Sequence, residues 1–199
     1  MSQNKVTFGL KDVHVAFVTD NGEEPSWETP IAVPGAVRWT PEAVGDSSDF
    51  YADNTKYFTI TANNGYTGEL EMANIPDEVL AEMLGWEIDD NGMIVEVSDA
   101  TPKHFALIGQ VQGDKRNRRF VYYDCVASRP AKERTTVEES VTPATDVLNV
   151  TVSPIEIDNR MIVKGDLELS EDNSTEFNGF FDEVYTPSFG DSGGGGVEG

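Results

Sequence analysis

The stretch GYTGELEMANIPDEVLAEMLG (residues 65–85) sets one strand directly before one helix, and it decides how the rest of the chain is read. Tyr66, Gly68, Leu70 and Met72 fall on one face of an extended segment, with Thr67, Glu69 and Glu71 on the other. That period of two is the mark of a strand with one buried and one wetted face. The period then changes. Pro76 and two acids open a helix over 76–84, Val79, Leu80, Met83 and Leu84 form a single stripe, and Gly85 stands where a helix is capped. A helix of that length is about 14 Å long, enough to cover one edge or face of a sheet.

Outward from this point the texture is that of a sheet protein, short alternating segments separated by turn residues. VHVAFVT (13–19) places Val13, Val15 and Phe17 on one face before the turn Asp20-Asn21-Gly22. AVRWT (36–40) is a short strand closed by Pro41, and YFTITA (57–62) leads into the turn Asn63-Asn64-Gly65. Between them, EAVGDSSDFYADNTK (42–56) is polar and acidic and is expected to be a long, mobile loop. GMIVEV (92–97) follows another turn. HFALIGQVQ (104–112) and RRFVYYDCVAS (118–128) flank a long hairpin tip at 113–117, DVLNVTVSP (146–154) alternates again, and MIVKGDLEL (161–169) is a last strand weakened by Gly165. These add up to about eight strands and one short helix. The expected division is a β-domain over 1–170 and an acidic, Gly-rich, flexible C-terminal segment over 171–199.

The chain has 199 residues, with 14 Lys+Arg against 36 Asp+Glu, a formal charge of −22. Apolar residues at 38% suffice for a core and argue against a wholly disordered acidic chain. So negative a surface repels phosphate, which excludes a conventional grip on nucleic acid but not a protein that lets DNA slide past. The longest run free of charge, Tyr57–Gly68, is too short and too polar to span a bilayer, and MSQNKVTFGLKD carries no apolar core of a secretory signal. One cysteine gives no internal disulfide framework, in keeping with a reducing cytosol.

Motifs that could carry chemistry reduce to simpler readings. Gly190-Asp191-Ser192-Gly193-Gly194 matches the letters around a serine-protease nucleophile, but it lies in a Gly-rich tail, away from His14 and His104. Glu87–Gly92 imitates a calcium loop, yet its twelfth position is Ser98, so a tight turn is the expectation. Asp46, Asp49 and Asp53 read as solvated loop acids. Cys125 shares a face with Val121, Tyr123 and Ala127 and reads as a core residue, while His104 reads as a strand-edge residue. Two histidines and one cysteine cannot by themselves build a typical zinc site. No metal, cofactor or catalytic residue is therefore expected, and the chain is read as a non-enzyme. Lys115, Arg116, Arg118 and Arg119 form a lone basic patch that suits an acidic surface on a second copy of the chain.

GYTGELEMANIPDEVLAEMLG, FALIGQVQGDKRNRRFVYYDCVASRP (105–130), VEES (137–140) and TDVLNVTVSP (145–154), with KVTFGLKDVHVAFVT (5–19) and ADN (52–54), resemble the major tail proteins of long-tailed phages of Gram-positive hosts. The resemblance covers roughly residues 3–155. It implies two antiparallel sheets forming a sandwich or incomplete barrel, with one short flanking helix corresponding to 76–84. It implies a structural virion protein, made in the host cytoplasm, whose hexameric rings stack into a tail tube for DNA ejection. Its partners would be other copies of itself, the tape measure protein and other tail proteins. DNA would pass through the lumen without specific binding, and no membrane is involved. By position in the fold, loop 42–56 would reach toward a neighbouring ring. The inter-subunit candidates are thus Phe50, Tyr51 and Asp53 in that loop and Lys115, Arg116, Arg118 and Arg119 in the basic patch. The alternative is a monomeric acidic β-sandwich that binds carbohydrate or protein through aromatics of 42–56. A hydrolase rests on the Ser192 match alone.

Overall fold

The structure, a computed structural model, describes residues 9–19, 24–45, 47–52, 55–113, 116–130 and 145–189, with the backbone path alone over 47–61. In chain order the strands are β1 (Leu10–Thr19), β2 (Ser26–Trp27), β3 (Ile31–Ala32), β4 (Ala36–Ala43), β5 (Ser47–Ala52), β6 (Thr55–Thr61) and β7 (Tyr66–Met72). Helix α1 (Asp77–Leu84) comes next, then β8 (Glu87–Ile88), β9 (Ile94–Val95), β10 (Phe105–Val111), β11 (Arg119–Ala127) and β12 (Asp146–Val152). β13 (Ile155–Ile157), β14 (Arg160–Ile162) and β15 (Lys164–Leu167) lead to α2 (Ser174–Asn178) and a 3₁₀ turn, Gly179–Phe181.

The fold is mainly β and antiparallel, as the sequence implies. One nine-stranded sheet runs in the order β2-β1-β10-β11-β12-β7-β4, with β3 added to β1 and β15 to β11. It curls until β4 comes within 8 Å, Cα to Cα, of β1, with no ladder joining the two. The result is an incomplete barrel. Its interior holds Val13, Val15 and Phe17 of β1, Leu70 and Met72 of β7, Leu148, Val150 and Val152 of β12, and the stripe of α1. Trp39 of β4 and Tyr122 of β11 meet edge to face across it, centroids 5.5 Å apart. Helix α1 behaves as its residues dictate: Val79, Leu80, Met83 and Leu84 are buried, and Gly85 closes it at φ 67°, where a Cβ would be strained.

Five expectations need correction. β4 does not stop at Pro41 but runs on to Ala43, with Pro41 opposite Gly68. An edge strand tolerates proline because its outer N–H bonds to no neighbour. GMIVEV contributes only the two residues of β9, and MIVKGDLEL divides into β14 and β15. Residues 47–52, placed in a loop, form a strand instead and pair with 55–61, which contains most of the expected strand YFTITA. Finally, Cys125 and Ala127 do not share a face with Val121 and Tyr123. The register of β11 against β10 slips by one residue between Tyr122 and Cys125, so Phe120, Tyr122, Cys125 and Ala127 point inward and Val121 and Tyr123 outward. Such a bulge exchanges the faces of everything beyond it, which a strict period of two cannot foresee.

The close approach of β4 and β7 gives a first prediction. A Cβ on Gly68 would lie 2.4 Å from the Thr40 carbonyl oxygen and 2.8 Å from the Pro41 Cα. Gly68→Ala should therefore push β4 away and destabilise the fold by roughly 1–3 kcal/mol. An unchanged urea midpoint would show that β4 is not held at this distance.

Candidate assembly surfaces

Strands β1, β10 and β11 are buried on both faces. Their outward side chains, Ala16, Ala106, Ile108, Val121 and Tyr123, form a second core with Ile157 and Phe180. The cover comes from the β13–β14 hairpin and from residues 174–189, a strap laid over the sheet. Phe177 and Phe180, in the segment beyond 170 that was expected to be flexible, are buried. Arg119 holds the strap in place. Its guanidinium lies 3.9 Å from the Phe177 ring centroid and 4.4 Å from that of Phe181, and it donates to the Phe177 carbonyl. Burial pushes its pKa down, against the opposing charges of Asp12 and Asp182. Tyr123 Oη donates to the Tyr185 carbonyl at 2.9 Å, and His14 stacks on Phe181 with centroids 4.6 Å apart.

This arrangement redistributes the basic patch. Arg119 turns onto the strap, and Arg116 pairs with Glu168 at 3.1 Å. Arg118 sits at the hairpin end, where its carbonyl accepts the Val111 N–H, and Lys115 lies outside the described residues. The sequence reading missed the strap aromatics. Phe177, Phe180 and Phe181 recur at helical spacing inside an acidic run, and that spacing was the available signal.

The other half of the sheet is bare outside. Across β4, β7 and β12, Thr40, Glu69 and Asn149 lie in one row, and Glu42, Thr67 and Thr151 in the next. All six are exposed. Arg38 reaches Glu69 at 3.5 Å and Glu71 at 3.2 Å, and Thr145 donates to Glu71 at 2.8 Å. Exposed pairs of this kind add little stability. Their effect is to leave a polar, net acidic surface that no part of the described chain covers.

Beyond the barrel, β4 and β7 continue as the β5–β6 ribbon. Val44 and Gly65, then Asn64 and Val44, carry the backbone bonds across the junction at 2.9 Å each. A six-residue strand adds roughly 20 Å of reach. The ribbon forms a two-stranded sheet of its own. Phe50 and Tyr51 sit on β5, where a register slip falls between them; their side chains, and Asp53 altogether, are outside the described residues. So are Asp46 and Ser192, as is the side chain of Asp49.

The motif residues have structural uses. Asp89 accepts the N–H groups of Asn91 and Met93 at 2.8 and 2.7 Å, which holds its pKa low and closes the β8–β9 turn. His104 Nδ1 lies 2.5 Å from Asp124 Oδ1 at the protein surface. Among the described residues, no three of His, Cys, Asp and Glu gather as a metal site. Cys125 is fully buried and burial raises its thiol pKa. Iodoacetamide should therefore leave it unmodified at pH 8 in the native protein and alkylate it in denaturant, as mass spectrometry would record. Rapid native labelling would mean that the β10–β11 core opens readily.

No protein-family model and no curated protein matches the chain. Among solved structures, the chain is similar to one in the six-fold symmetrised baseplate of an anti-feeding prophage. The two are 12% identical with a TM-score of 0.44, over 84% of this chain and 97% of that one.

Proposed function

We propose that this chain is a structural protein of a phage tail, and specifically a tail-tube subunit that assembles into stacked hexameric rings. The observation that carries this reading is the unequal treatment of the barrel's exterior. One half is sealed by the strap, while the β4–β7–β12 half is left polar and acidic. A surface of that kind, turned toward a channel, offers DNA phosphates no anchoring sites. The segment-by-segment resemblance to major tail proteins points the same way.

The β5–β6 ribbon supports the contact between rings. An isolated two-stranded hairpin is marginal in water, so a projecting one gains from seating on a neighbour. In this reading the chain acts in the virion without catalysis or cofactor. Its partners are other copies, the tape measure protein and further tail proteins, and DNA passes without specific binding. Negative-stain microscopy of the concentrated protein tests the proposal, with rings or tubes expected. A stable monomer that retains a glycan or peptide would replace it with the binding-module reading.

A further inference from the structure

Where the strap ends, it roofs a cleft of about 330 Å³ on the outer side of β11 and β15. We infer that this cleft binds a small, uncharged aromatic molecule of one or two fused rings. The inference does not depend on the tube reading. Its floor is Val121, Tyr123 and Gly165, and its walls and roof carry Phe180, Tyr185 and Phe189. The floor is deep because Gly165 has no side chain; a Cβ there would lie 3.2 Å from Tyr123 Oη and 3.6 Å from Val121 Cγ1.

The roof is fixed at both ends. Tyr185 is held through its carbonyl by Tyr123 Oη, and the Phe189 N–H donates to Asp158 at 3.1 Å while Arg160 lies 4.0 Å over the Phe189 ring. The cleft therefore exists before any ligand arrives, as small-molecule sites usually do, and its volume is at the lower end of their range.

The polar groups around the cleft define the ligand's charge. Lys164 Nζ pairs with Asp166 at 2.9 Å, and the Tyr123 hydroxyl proton is already given to Tyr185. Neither arrangement leaves a free charge to meet an ionised ligand. Four of the lining side chains are aromatic, and Phe180 and Tyr185 already stack with planes 21° apart. A flat ring can meet such faces and edges in offset or edge-on contact.

Indole titrated into the full chain, followed by NMR and calorimetry, tests the inference. Saturable one-to-one binding is expected, with contacts to Tyr185 and Phe189. Gly165→Val should fill the floor and weaken binding about tenfold or more. Phe189→Ala, at a partly exposed position where folding is not at stake, should weaken it several-fold. Absence of saturable binding up to the solubility of indole would overturn the inference. So would unchanged affinity in both variants when circular dichroism reports a native fold.

Discussion

Replacing Phe180 with alanine is expected to lower stability by about 3–5 kcal/mol, the usual cost of emptying a fully buried aromatic site. For a chain of this length that corresponds to a fall in Tm of roughly 10 °C. Phe180 is 2% exposed and lies in the second core with Ala106, Ile108, Val121 and Tyr123. It also meets Phe181 and Tyr185, so its loss loosens the strap from within. Truncation after Ser170 should do more, because it removes the whole strap and leaves only the β13–β14 hairpin over the outward face of β1–β10–β11. The expected product binds hydrophobic dyes and aggregates. Truncation after Phe189 retains every strap contact described above and should melt like the full chain. A Phe180→Ala protein with unchanged Tm, together with a soluble and cooperative 1–170 fragment, would return the strap to the role of a loose end.

The second large effect concerns assembly. Changing Phe50 and Tyr51 together to alanine should abolish tube formation while leaving the Tm of the subunit within a degree or two. The ribbon forms a sheet separate from that of the barrel, and among the described residues the backbone bonds at the junction are those of Val44, Asn64 and Gly65. Seating two aromatics on a neighbour would contribute about 1.5–3 kcal/mol each if they are fully buried. Repeated at every subunit of every ring, that contribution decides whether stacking occurs. Hydrogen exchange gives an independent measurement. Amides of 47–52 and 55–61 should exchange quickly in the monomer despite their pairing, since an isolated ribbon opens easily, and slowly in the tube. Normal tubes from the double variant would move the contact between rings elsewhere.

Much of the barrel was legible because its signals are local. The alternation of Tyr66–Met72, the stripe of α1 and its Gly85 cap, and the inward set Val13, Val15 and Phe17 all appear where their residues place them. The candidate surfaces were less legible. The basic run at 115–119 reads as one patch, but Arg119 is taken by two rings 58 and 62 positions further along. The polar composition of 42–56 reads as loop because it lacks core positions. A ribbon that continues beyond a barrel needs none, and its two strands pair through their backbones.

The sequence by itself therefore determined the fold class, the helix and its caps, the faces of β1 and β7, and the acidity of the whole. The acidity is a sum over composition, and the others depend on residues two to four positions apart, the range over which strand and helix periodicity operate. Tertiary structure alone decided where β11 bulges, that β4 closes back toward β1, which half of the exterior is covered, and that the segment after 170 is the cover. Those outcomes depend on pairings between distant residues, such as Tyr123 with Tyr185 and Trp39 with Tyr122. A one-residue slip or a single cation–π contact carries too little local pattern to be read before the chain is folded.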